Sequence, residues 1–84
     1  MGVRKLNNKL NVISDNLKSY REENNLSQAK LCAKMQLLGI EMHPNDIWRI
    51  EANARTVKDF EVWGFAKIFK IKIEDLYINI EKDL

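Results

Sequence analysis

With 84 residues the chain has room for one domain and one modest core, because a chain this short buries only roughly 60% of its unfolded surface; a two-domain enzyme is excluded. Its 45% apolar and 31% charged residues separate it from disordered chains, which lack the apolar surface to collapse. The net charge of +2 is too small to demand a polyanionic partner, but it is unevenly spread: Arg4, Lys5 and Lys9 make a basic leader of residues 1–10, whereas Glu74, Asp75, Glu81 and Asp83 outnumber Lys82 near the end.

A single cysteine, Cys32, cannot form an internal disulfide, which fits a reducing compartment. One thiol and one histidine, His43, cannot build a zinc site, so neither a metal nor another cofactor is expected. No stretch approaches the ~20 apolar residues of a membrane helix, and the first ten residues lack the apolar core of a signal peptide. The expectation is a cytoplasmic protein with no membrane partner.

Apolar residues recur at helical spacing throughout, and β-branched runs bounded by turn signals are missing, so the predicted fold is all-α. Ile13, Leu17 and Tyr20 fall on one face of a first helix from about Asn11 to Glu23, which Asn24-Asn25 stops. Ser27 is a good N-cap for a second helix whose buried stripe is Leu31, Cys32, Met35 and Leu38, with Gly39 as its end. Ile40 to Met42 bridge to His43-Pro44, where proline fits the first position of a third helix running to about Ala52 with Ile47 and Ile50 inward. Thr56-Val57-Lys58-Asp59 has the form of a capping box ahead of a fourth helix with Val62, Phe65, Ala66 and Phe69 inside. Ile71, Ile73 and Leu76 carry the pattern into a short fifth helix from about Ile73 to Tyr77. Residues 11–78 thus read as the domain and 79–84 as a tail.

The run Leu26-Ser27-Gln28-Ala29-Lys30-Leu31-Cys32-Ala33-Lys34-Met35, then Ile47-Trp48-Arg49-Ile50-Glu51, then Val62 through Leu76, resembles the phage-repressor (lambda repressor and Cro, xenobiotic-response-element-like) helix-turn-helix family over about Ile13 to Leu76. Gln36 to Met42 lengthens the second helix and the turn, a variant that also resembles small members of that family. The resemblance implies a five-helix lambda-repressor-like domain in which helices 2 and 3 are the motif and residues of about 44–52 lie in the DNA major groove. It also implies that Gln28 clamps a backbone phosphate, and that Arg21 and Glu51 form a structural ion pair between helix 1 and the end of helix 3.

Physical chemistry gives those positions a sense of their own. The amide-bearing start of helix 2, at Ser27 and Gln28, suits a phosphate. On helix 3 the inward turn of Ile47 and Ile50 leaves Asn45, Asp46 and Arg49 facing out as candidate base contacts; Arg49 suits guanine and Asn45 suits adenine. Arg55 and Lys58 are candidate phosphate contacts, and His43 is either a turn residue and N-cap or a further phosphate contact. Ala52-Asn53-Ala54 replaces a polar and a basic family residue, and Glu41 and Asp46 add negative charge nearby, so a monomer would bind modestly. A homodimer reading two half-sites about 34–36 Å apart would recover affinity.

Phe60 and Trp63 lie off the inner face of helix 4 and either cover the N-terminal segment or form a partner surface; Tyr77, Ile78, Ile80 and Leu84 offer a second apolar end that favours a dimer through the C-terminal region. Trp48 has two readings: a cap over Leu37 and Ile40 in the extended turn, or a stack at the DNA edge. Cys32 reads as a packed small thiol. The expected function is a sequence-specific double-stranded-DNA-binding transcriptional regulator with no small-molecule ligand. The alternative is a protein-interaction module of the same fold, an antirepressor or antitoxin. No catalytic constellation gathers around His43, and none of the three glycines belongs to a phosphate loop, so an enzyme is not expected.

Overall fold

The structure, a computed structural model, describes residues 4–83, so residues 1–3 of the expected leader and Leu84 of the expected tail lie outside the described residues. Four α-helices follow in order: α1 (Ser14–Glu23), α2 (Gln28–Leu37), α3 (Pro44–Glu51) and α4 (Asp59–Phe69). Two 3₁₀ turns, Ile73–Tyr77 and Ile80–Asp83, complete the chain. The expected fifth helix therefore has the tighter 3₁₀ winding, opened by Asp75, whose carboxylate accepts the Lys72 N–H at 3.0 Å. Part of the expected tail is a further 3₁₀ turn.

Helix starts follow local chemistry. The Ser27 hydroxyl accepts the Lys30 N–H at 3.0 Å and caps α2. Pro44 opens α3, with the Asp46 carboxylate accepting the His43 N–H at 2.9 Å. The Thr56–Asp59 capping box does not form: α4 begins at Asp59 after Lys58, and Glu61 accepts the Lys58 N–H at 2.9 Å instead. Helix α1 begins at Ser14 and not near Asn11, because the Asn11 side chain turns back on the backbone and accepts the Ile13 N–H at 3.1 Å.

All four α-helices end in the same way. In each, one residue takes the left-handed conformation, and its amide and the next bond back to the last turn: Asn25 and Leu26 after α1, Gly39 and Ile40 after α2, Asn53 and Ala54 after α3, Lys70 and Ile71 after α4. Asparagine and glycine suit that conformation, while Lys70, at φ 58°, has neither advantage.

The core gathers Ile13 and Leu17 of the α1 region, Leu31, Cys32 and Met35 of α2, Ile47 and Ile50 of α3, Val62, Phe65, Ala66 and Phe69 of α4, and Leu76. The stripe expected on α2 stops short: Leu38 is 37% exposed, because the helix has ended at Leu37 and the chain turns away. Ile40 and Met42, from the long turn, take the place in the core that Leu38 was expected to fill. Gly64 makes room for Ile40 and for Met35, since a Cβ there would stand 2.5 Å from Ile40 Cδ1 and 2.9 Å from Met35 Sδ.

Residues Leu6–Lys9 form a tight turn whose two ends exchange both backbone bonds, at 3.0 and 2.8 Å. Asn7 and Asn8, at φ 49° and 66°, supply the two left-handed residues that a type I′ turn demands. The N-terminal segment lies beside Val57 and Tyr77, not under Phe60 and Trp63. Those two rings line a separate groove with Leu38, Ile40, Glu41 and Lys58, half exposed, so covering the leader is not their role.

Candidate nucleic-acid interface

Helix α3 buries Ile47 and Ile50 completely. At about 100° per residue, Asn45, Trp48, Arg49 and Ala52 then fall on the opposite side, and all four are exposed. Trp48 stands at the edge of this face that borders α1 and α2, 53% exposed. It separates two shallow depressions: one is lined by Gln28, Pro44, Asn45 and Trp48, the other by Lys18, Arg21, Gln28, Trp48, Glu51 and Ala52. The outward face of α3, the start of α2 and one edge of α1 are therefore continuous.

An ion pair holds these three elements in register. Arg21 of α1 donates from Nε to Glu51 Oε2 at 2.6 Å and from Nη2 to Glu51 Oε1 at 3.0 Å, a two-pronged contact at the end of α3. Gln28 Nε2 donates to Glu51 Oε1 at 3.1 Å, and Arg21 Nη1 donates to the Leu26 carbonyl at 2.9 Å, so the start of α2 is tied to the same carboxylate. The Arg21 and Glu51 side chains are only 12% and 5% exposed. The hydrogen bonds and charge of Glu51 raise the Arg21 guanidinium above its ordinary range, against the opposing effect of burial, so Arg21 stays charged.

The residues expected to touch DNA separate into two groups. Asn45 and Arg49 are both exposed on the open side of α3, Asn45 beside Gln28, and Ser27 caps the neighbouring start of α2. Arg49 and Lys18 have no ion-pair partner among the described residues. Asp46 is engaged within the chain: its carboxylate accepts from His43 and stands 3.7 Å from Arg55 Nε. Arg55 is turned inward, donating from both terminal nitrogens to Glu61 at 3.1 and 2.8 Å and to the Thr56 carbonyl at 2.6 Å. Its Nε is buried without a hydrogen bond, and Glu61 is only 3% exposed, so this pair braces the link from α3 to α4. Lys58 is exposed over the Phe60 ring at 5.9 Å, on the groove with Trp63. His43 is exposed at the start of α3.

Leu37 is 87% exposed and Ile40 packs at Gly64 of α4, so neither supports the reading of Trp48 as a cap on the long turn. The place of Trp48 was open to sequence reasoning, because it is one turn from Asn45 and opposite Ile47 and Ile50. Lys18 had no such signal: only the packing of α1 on α3 brings it to this face. Cys32 is buried, with Sγ 3.2 Å from the Met42 carbonyl. Burial, aided by the charge of Asp46, pushes its thiol up from the ordinary value. Among the described residues no three His, Cys, Asp or Glu side chains gather as a metal site, and no helix is long and apolar enough to cross a membrane. Comparison with protein-family models, with curated proteins and with solved structures finds no match to this chain.

Proposed function

We propose that this chain is a sequence-specific DNA-binding regulator of the helix-turn-helix type, in the lambda-repressor-like arrangement, with α3 as the helix laid in the major groove. The observation that carries the proposal is the continuous face formed by Gln28 at the start of α2 and Asn45, Trp48 and Arg49 on α3. A helix of this width fits the major groove, and the first-turn amides of α2, which have no intrahelical acceptor, suit a backbone phosphate beside it. Arg49 offers a fork to guanine and Asn45 an amide to adenine, while Lys18 adds a cation for the phosphate backbone. Two copies related by a twofold axis would read half-sites about one helical turn apart.

A protein-interaction module of the same fold is the second reading. It is favoured by the capture of Gln28 by Glu51 and of Arg55 by Glu61, which leaves fewer polar groups for phosphate, and by the apolar groove of Leu38, Phe60 and Trp63. Titration of a fluorescent random-sequence duplex at two salt concentrations separates the two. A DNA reader binds with Kd of about 10⁻⁴ to 10⁻⁶ M at physiological salt and loses affinity steeply as salt rises. Lys18→Ala should flatten the salt slope by about one unit, whereas Arg49→Ala should weaken preference among sequences more than overall affinity. A folded protein that ignores duplex even at low salt refutes the DNA reading and leaves the interaction module.

A further inference from the structure

Trp48 is the residue that a polar reading helix has least reason to carry. Ile47 and Ile50, fully buried, already anchor α3 to the core, so the half-exposed indole adds little to folding. It stands where the open face of α3 meets α1 and α2, with Asn45 one turn before it, Arg49 next in sequence and Lys18 across the second depression. An exposed aromatic ring between cations is complementary to a surface that is apolar at one point and anionic around it. Among the base edges in the major groove only one apolar group is presented, the C5-methyl of thymine, and phosphates line both sides.

Resting on the DNA reading above, we infer that Trp48 is a specificity-determining residue that packs its indole on a thymine methyl in each half-site, next to the base read by Asn45. The preference comes from removing apolar surface of both partners from water, so it depends on the methyl and not on a hydrogen bond. Replacing that thymine by uracil, which keeps every donor and acceptor and deletes only the methyl, isolates the contact.

The test uses the full chain and a pool of 30-base-pair duplexes with randomised centres, from which bound molecules are selected and each thymine is then changed singly to uracil. Wild type should lose about fourfold in affinity at one thymine of each half-site, the worth of one buried methyl group. Trp48→Ala should bind the thymine and uracil duplexes equally, and Trp48→Phe should keep part of the difference; circular dichroism checks that both are folded. In a Trp63→Phe background, where Trp48 is the remaining tryptophan, the selected duplex should shift the emission. Equal affinity for thymine and uracil at every position overturns the role of Trp48 and leaves the DNA reading standing. Recovery of no duplex above background overturns both.

Discussion

Asn53→Ala should be among the most damaging single changes outside the apolar core. Asn53 sits just past the end of α3 at φ 58°. Its Oδ1 accepts the amides of Leu10 and Asn11 at 2.8 and 3.1 Å, and its Nδ2 donates to the Asn11 carbonyl at 2.9 Å. Asn11 answers in the other direction, donating from Nδ2 to the carbonyls of Ile50 and Arg55, both at 3.0 Å. Because Asn11 is 6% exposed, water does not readily replace what Asn53 supplies, and each buried group left unpaired costs about 1–3 kcal/mol. Alanine in the left-handed region adds roughly 1–2 kcal/mol, which glycine avoids. The expected loss is therefore about 3–5 kcal/mol for Asn53→Ala and about 1 kcal/mol less for Asn53→Gly. A chain of this length has a total stability on the order of 4–12 kcal/mol, so the change is large. Urea unfolding followed by helix ellipticity would read it as a midpoint lowered by roughly 3–5 M, given a slope near 1 kcal/mol per molar. An Asn53→Ala midpoint within experimental error of wild type, or a glycine variant less stable than the alanine one, would refute the reasoning.

Two further outcomes follow from groups described above. Arg21→Met leaves the Glu51 carboxylate buried with Gln28 alone and should destabilise by about 3–5 kcal/mol, whereas Arg21→Met with Glu51→Leu should recover most of the loss. Equal instability of the single and double variants in urea unfolding would show that the pair is not what holds α1 to α3, and the comparison also tells lost folding from lost binding. The Cys32 thiol, raised by burial, stays protonated in the fold after it has begun to ionise in the unfolded chain at its ordinary value of 9.0. Its contribution is thus intact below that value and is lost as pH rises from there through the folded value, so the gap between wild type and Cys32→Ala should narrow as pH rises above 9.0. A gap that stays constant across that range contradicts the shift.

Local signals made much of this structure readable in advance, and long-range ones did not. Ser27 and Pro44 mark helix starts because a cap or a missing amide acts within three residues, and the inward set of α4 follows from helical spacing alone. The Asn11–Asn53 exchange joins residues 42 apart in sequence and leaves no trace in periodicity, so the start of α1 was expected too early. Asn53 reads in sequence only as part of the polar loop Ala52-Asn53-Ala54; in the structure it fastens the N-terminal segment to α3. Arg55 reads as a phosphate contact for the same reason, since nothing local announces Glu61 as its partner across the start of α4. Spacing extends the α2 stripe to Leu38, but a helix that stops at Leu37 no longer obeys helical spacing beyond it. Helical geometry does place Trp48 opposite Ile47 and Ile50; what it leaves open is whether a neighbouring element covers the ring, and only the packing of α1 and α2 answers that.

The long turn between α2 and α3 would loosen the link between these helices if it were free, and the structure shows three points that prevent this. Gly39 takes φ +85° and closes α2, Ile40 packs against α4 beside Met35, and the Met42 carbonyl accepts from Gln36 Nε2 at 2.9 Å just before α3 begins. The middle point depends on Gly64, although Gly64 is far from the open face of α3. Gly64→Ala gains about 1 kcal/mol in helix propensity, but its methyl group would stand 2.5 Å from Ile40 Cδ1 inside a closed core, and overpacking of that kind costs about 1–3 kcal/mol. The net effect should be destabilising. Ile40→Val deletes the nearest of the clashing atoms: in wild type it should cost about 0.5–1.5 kcal/mol, whereas in the Gly64→Ala background it should be neutral or stabilising. Melting curves of the four proteins give the interaction directly. If Ile40→Val costs the same in both backgrounds, the Ile40 side chain is not held against Gly64, and the turn is not pinned to α4 at that point.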